Sequence, residues 1–235
     1  MRYLSLILIL YFITASTCEE YEKLDGKGIS GLITQKTTNI IDTREAEVSS
    51  QGYLLNSLLI PLSMNYTDWM TTVIRRGSDV IIISDKDNYK KAIQQVKKAG
   101  YNIKGYAIYD EIAKFVRKFI QKASYKENTK EFVEKLVKEN KNIIDLREID
   151  EIKETGIIEK SKLFPLSTLN RKIKKLPKKG EFYLFCKTGK RALMAMYYIK
   201  NAKNRNKIYV MRGGITKTIE EGFALVNYKS SKIEK

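Results

Sequence analysis

Histidine is missing from all 235 residues of this chain. No His-based triad, imidazole general base or His-ligated metal site is therefore available to it. Cysteine is almost as scarce. Only Cys18 and Cys186 occur, which also excludes a zinc site built from thiolates. Acidic residues are outnumbered, 27 Asp+Glu against 44 Lys+Arg, for a formal net charge of +17. Such an excess suits nucleic acid, anionic membrane or small anionic substrates, although its main reading is a Lys-rich bias with solvated lysines. The apolar run Leu4 to Ile13 is well short of the roughly 20 residues a spanning helix needs.

Hydrophobic residues make up 43% and charged residues 30%, the profile of a globular protein. The length allows one large domain or two of roughly 100 to 120 residues. At the N-terminus, Arg2 precedes the apolar run, and small residues Ala15, Ser16 and Thr17 precede Cys18 and Glu19-Glu20. Residues 1–18 thus resemble an export signal of the bacterial lipobox type, although Ala15 and Thr17 depart from that pattern. A lipid anchor at Cys18, a plain cleaved signal and an uncleaved anchor all stay open. Each would place the folded part outside the cytosol, in the periplasm or held at the membrane.

A domain-length repeat divides the rest. Asn39-Ile40-Ile41-Asp42-Thr43-Arg44-Glu45 recurs 103 residues later as Asn142-Ile143-Ile144-Asp145-Leu146-Arg147-Glu148. Ile60-Pro61-Leu62-Ser63 recurs as Phe164-Pro165-Leu166-Ser167, and Asp79–Ile83 as Glu181–Phe185. Three landmarks in one order at nearly constant spacing indicate duplication of a whole domain. The halves are expected at 27–120 and 129–228, joined by a polar connection at 121–128. Asn128 with Glu131 reads as a helix start of capping-box type.

Strands are expected at 142–146, 162–165, 181–185 and 207–211. Helices are expected at 130–139, 149–154, 167–174, 190–201 and 214–222. Apolar strands alternating with helices predict an α/β fold in which each half is a mostly parallel sheet covered on both faces. Loops at the carboxyl ends of such strands carry function.

Cys186 falls at such a place. It ends the apolar strand Phe182–Phe185 and opens the loop Cys186-Lys187-Thr188-Gly189-Lys190-Arg191, after which Ala192–Met196 begins a helix. Backbone N–H groups at a helix start, with three cations in five residues, favour the thiolate, the reactive form of the thiol. Gly189 permits a tight curl. At the position of Cys186 the first half has Ser84, followed by Asp85 and Asp87, which would repel an anionic substrate.

These residues resemble the rhodanese (thiosulfate sulfurtransferase) family in its tandem-domain form, with a degenerate first domain. Asp145-x-Arg147-Glu148, Gly156-Ile157-Ile158 before Pro165-Leu166, the Cys186-x-x-Gly189-x-Arg191 loop and Gly213-Gly214 carry the resemblance. Ile157 stands where the family often has His, and Lys187 where it often has Arg. The resemblance implies sulfur transfer through a persulfide on Cys186, from a small anionic donor such as thiosulfate to cyanide or a thiol acceptor. Cys186 would be catalytic. Lys187, Thr188, Gly189, Lys190 and Arg191 would bind substrate. Neither cofactor nor metal is implied. Asp145 and Arg147 are expected to frame the loop, and Met194 and Met196 to fill core. A serine at position 84 cannot form a persulfide.

Two rivals remain. A phosphatase loop needs five residues between Cys and Arg, and only four separate Cys186 from Arg191. A non-enzymatic envelope scaffold, with Cys186 a relic, is also compatible with the sequence. The basic run Arg171 to Lys179 lacks interleaved aromatics, so no nucleic-acid partner is expected.

Overall fold

The computed structural model describes residues 21–35, 38–64, 66–177, 180–202 and 207–228. The N-terminal signal-like segment with Cys18, and Lys178 and Lys179 of the basic run, lie outside the described residues. The first half runs α1 (Gly26–Gln35), β1 (Asn39–Asp42), α2 (Ala46–Gln51), β2 (Tyr53–Leu54), β3 (Ser57–Leu59), α3 (Tyr66–Val73), β4 (Asp79–Ser84), α4 (Tyr89–Lys98), β5 (Asn102–Ile108), α5 (Tyr109–Ile112) and β6 (Ile120–Gln121). The second runs β7 (Tyr125–Lys126), α6 (Lys130–Lys138), β8 (Asn142–Asp145), α7 (Ile149–Thr155), β9 (Lys162–Leu163), α8 (Leu169–Lys172), β10 (Glu181–Phe185), α9 (Lys190–Asn201), β11 (Lys207–Met211) and α10 (Gly214–Glu220). Among the described residues, no helix is long and apolar enough to cross a membrane.

Two parallel sheets result, ordered β3-β1-β4-β5 and β7-β11-β10-β8-β9. Set β8, β9, β10 and β11 against β1, β3, β4 and β5, and the order is the same in both halves. The register agrees too: Asp42 lies opposite Ile83, one residue before Ser84, and Asp145 lies opposite Phe185, one residue before Cys186. The repeated motifs make the same bonds. Asp42 grips Arg44 while Arg44 Nη2 donates to Gly52 O at 2.7 Å; Asp145 grips Arg147 while Arg147 Nη2 donates to Gly156 O at 2.8 Å. Glu45 accepts from Ser63 as Glu148 accepts from Ser167.

Side chains of a strand alternate between faces, and here both faces are apolar. Ile40, Ile81 and Ile83 pack on α1, while Ile41, Val80 and Ile82 face the other way. Ile143, Tyr183 and Phe185 pack beneath α6 and α10, while Ile144, Phe182 and Leu184 face the opposite side. The two inward sets belong to one continuous cluster that joins the halves. Helix α9 lies in that shared layer. Ala192, Leu193, Met194, Ala195, Met196, Tyr197 and Ile199 are all buried, so the helix is apolar around most of its circumference. Each large buried aliphatic contributes roughly 1.5–3 kcal/mol, far above a typical exposed ion pair. Burial therefore sets where α9 sits, and Met194 and Met196 serve as core.

Three expectations change. The span 121–128 is structured rather than a plain connection: Gln121 pairs in β6 with β2 of the first half, and Tyr125–Lys126 extend the second sheet beside β11. Thr129, not Asn128, caps α6, its hydroxyl accepting from Phe132 N at 3.3 Å. Instead of one helix over 167–174 there are separate turns, 3-10 at Leu166–Thr168, α8, and 3-10 at Ile173–Lys175. Arg171, Lys172, Lys174 and Lys175 would repel one another at helical spacing; Arg171, Lys174 and Lys175 are exposed.

Candidate active site

Cys186 leaves the end of β10 with no solvent exposure. Its Sγ accepts the N–H of Gly189 at 3.1 Å. That bond requires the chain to curl back within three residues. Gly189 does so in the left-handed region, φ 100° and ψ −20°, and it is also the N-cap of α9. Of the expected cradle of backbone donors, the Gly189 N–H is the one the structure places on the sulfur.

A second helix start holds the loop from its other side. Ile215 N donates to Cys186 O at 2.8 Å, and Thr216 N donates to Lys187 O at 3.0 Å. The otherwise unpaired first-turn N–H groups of α10 thus grip the loop carbonyls. Gly214, at φ 58°, has to be glycine, because a Cβ there would strike the carbonyl oxygen of Cys186. Asn128 fixes this helix start. It is buried, and its Nδ2 donates to Gly214 O at 2.5 Å and to Thr218 Oγ1 at 2.9 Å.

Asp145 and Arg147, expected to frame the loop, bond to each other and to the end of α7. Asp145 Oδ1 accepts from Arg147 N at 3.0 Å, and Oδ2 from Nη2 at 2.7 Å. Arg147 continues to Thr155 Oγ1 at 2.7 Å, and Leu146 N donates to Phe185 O at 2.9 Å. Both charged side chains are buried, and neither reaches the cavity at the loop.

Arg191 points its guanidinium at Glu151 on α7, with Nη1 and Nη2 at 2.5 and 2.6 Å from the two carboxylate oxygens. Those hydrogen bonds, against some burial, hold the Glu151 carboxyl below its usual 4.5. The same bonds raise Arg191 above its ordinary value. Arg191, expected to bind substrate, thus turns to Glu151 and is not among the residues that line the cavity at the loop. Lys187 and Thr188 are exposed. Lys190 reaches across to Glu47 of α2 at 3.8 Å. Thr188, Gly189 and Lys190 line a cavity of about 200 Å3, closed on the other side by Ala46, Glu47, Ser50 and Gln51 of α2 and flanked by Tyr125, Leu193, Arg212 and Gly213.

The family model for the rhodanese-like domain matches residues 128–221. This segment is a rhodanese-like domain. No curated protein matches the chain. Among solved structures, the chain is similar to thiosulfate sulfurtransferase from Pseudomonas aeruginosa (17% identity, 88% of this chain and 43% of that one, TM-score 0.38). It is also similar to the polysulfide-sulfur transferase homodimer of Wolinella succinogenes (25% identity, 47% of this chain and 85% of that one, TM-score 0.38). A rhodanese-related protein from Thermoplasma volcanium matches at 26% identity over 45% of this chain and 99% of that one, TM-score 0.38. The chain spans less than half the length of the Pseudomonas protein.

The half preceding the rhodanese-like domain closes its own loop. Ser84, at the end of β4 as Cys186 is at the end of β10, is fully buried, and its Oγ has no hydrogen-bond partner among the described residues. Asp85 Oδ1 accepts from Asp87 N at 3.1 Å, Asn88 N at 2.9 Å and Asn88 Nδ2 at 2.8 Å. A carboxylate of the chain itself thus occupies the donors of that turn. Residue-by-residue reading missed Glu151, Asn128, Arg212 and the α2 wall. Glu151 had a signal, since Glu148-x-x-Glu151 places a carboxylate at the third position of α7, where it accepts from Glu148 N at 3.0 Å.

Proposed function

We propose that the chain is a sulfurtransferase working through a Cys186 persulfide. The observation that carries the reading is the Gly189 N–H on Cys186 Sγ, at a strand end inside a rhodanese-like domain. In the first step the Cys186 thiolate gives an electron pair to the outer sulfur of thiosulfate or a related donor. The donor S–S bond breaks, and sulfite leaves with its electron pair. In the second, cyanide or a thiolate attacks the outer sulfur of the persulfide, and Cys186 departs again as thiolate. Lys187 and Lys190 oppose the charge of donor and leaving group. Turn N–H groups stabilise the anionic sulfur where charge develops. Full burial of Cys186 shields it from wasteful oxidation between turnovers.

Export through the N-terminal segment belongs to the same proposal; cell fractionation together with the intact mass of the mature protein tests it. The sulfur chemistry is tested by incubating folded protein with thiosulfate and weighing the Cys186 peptide. The expected product is one sulfur atom heavier and reverts with cyanide. Folded protein that takes up no sulfur would overturn the enzymatic reading in favour of an envelope scaffold.

A further inference from the structure

The joint between the halves contains a directed polar chain within its apolar layer. Tyr197 lies two turns along α9 from Gly189, is fully buried, and stacks on Tyr53 of the first half with ring centroids 3.9 Å apart. Its hydroxyl sits 2.8 Å from Ser49 Oγ and 3.1 Å from the Ser49 carbonyl oxygen. Ser49 Oγ donates at 2.7 Å to Asp42 Oδ2, which also takes Arg44 Nη2 at 2.6 Å. Ser49 has one proton, and the carboxylate bound to Arg44 only accepts, so Tyr197 donates to Ser49. Burial first, and the nearby Asp42 charge second, push the Tyr197 hydroxyl far above its usual range, so it keeps that proton.

The Asp-x-Arg motif, which makes the same internal bonds in both halves, therefore makes one contact more through its aspartate in the first. Asp145 pairs with Phe185, the residue before Cys186, and its carboxylate is taken up by Arg147, whereas Asp42 reaches through Ser49 to α9 of the other half. The residue equivalent to Ser49 in the repeat is Ile152, which is apolar and fully buried. A hydroxyl stands at this place only where Tyr197 arrives. The same short helix, α2, turns Glu47 and Ser50 toward the cavity at the loop.

We propose that Tyr197 and Ser49 are positioning residues for Cys186. Asp42 orients Ser49, and Ser49 holds α9 through Tyr197. The N-terminal turn of α9, with Gly189 on the sulfur, is thereby kept closed against α2. The degraded half is the fixed part against which the sulfur loop is held. Its consequence for turnover rests on the sulfurtransferase reading, but the positioning itself does not.

The experiment uses that independence. Cys186 is fully buried, so iodoacetamide reaches it only when the loop opens. Alkylation of the Cys186 peptide is followed in folded full-length wild type, Tyr197→Phe, Ser49→Ala and the double variant, well below their melting temperatures and without any sulfur donor. Each single change is expected to speed alkylation about two- to tenfold, the scale of one buried hydrogen bond. The double variant is expected to go no further, because both changes break one chain. Ser49→Thr, which retains the hydroxyl, is expected to stay near wild type. Ile33→Val in α1 is the control for general loss of stability, and it is expected to leave the rate alone. Wild-type rates in both Tyr197→Phe and Ser49→Ala, additive rates in the double variant, or equal acceleration by Ile33→Val would overturn the proposal. A thiosulfate–cyanide assay of the same variants should show kcat falling with little change in KM. Absence of turnover in wild type would count against the sulfurtransferase reading alone.

Discussion

Arg191 and Glu151 form a two-point ion pair that ties the first turn of α9 to the first turn of α7. The cation of the sulfur loop is thus anchored to the helix that follows the Asp145–Arg147 pair. Side-chain exposures of 18% and 32% place the pair partly out of water, where two parallel hydrogen bonds count for more than a surface contact.

Acid should loosen this anchor in a defined direction. The Glu151 carboxyl lies below its ordinary 4.5 in the folded chain. Its contribution is complete above that ordinary value and is lost as pH falls through the lowered one. Melting temperatures of wild type and Glu151→Gln are expected to differ at neutral pH and to converge in acid. A constant difference across that window would refute the assignment.

Replacing Gly214 should be severe at the site. Gly214→Ala places a methyl against the Cys186 carbonyl at a positive φ, and strain of that kind costs roughly 1–3 kcal/mol before the clash is counted. Gly222 also has positive φ, but a Cβ there meets nothing, so Gly222→Ala isolates the strain. Urea unfolding is expected to show the larger loss for Gly214→Ala, with sulfur uptake lost only in that variant.

Removing the Asn128 side chain takes one buried donor from Thr218 Oγ1 and one from the Gly214 carbonyl, which keeps only the Thr218 hydroxyl among its side-chain donors. Asn128→Ala is expected to lose about 1–3 kcal/mol. Hydrogen exchange should locate the loosening at the start of α10, next to the loop. Unchanged protection of Ile215 and Thr216 amides would contradict the clamp.

Cysteine alone should not revive the first half. In Ser84→Cys the turn donors are still bound by Asp85. Thiosulfate is expected to add sulfur at Cys186 and not at position 84. A second persulfide by mass would show that the Asp85 turn is no barrier.

Much of the architecture was legible because the repeat states it twice. Asn39–Asp42 and Asn142–Asp145 are apolar runs ending in the same acid, and each became a central strand beside the residue that matters, Ser84 or Cys186. Asn128 misled because Asn-x-x-Glu is a fair helix-start signal; Thr129 stands one residue closer and took the role, while the amide was drawn to carbonyl and hydroxyl partners some 90 residues away. Strand β7 has two residues, too few to show any period. Arg191's partner was hidden for another reason: Glu151 lies 40 positions away, and only the meeting of α7 and α9 brings the two together.

Inheritance and folding draw different borders on this chain. The recognised module begins at residue 128, yet the helix that carries its sulfur loop is completed by Tyr53, Ser49 and β3 from upstream. A fragment cut at that border would keep Cys186 and its loop and lose half the wall behind them. Calorimetry of the intact protein is therefore expected to give one heat-absorption peak, the two sheets melting as one unit.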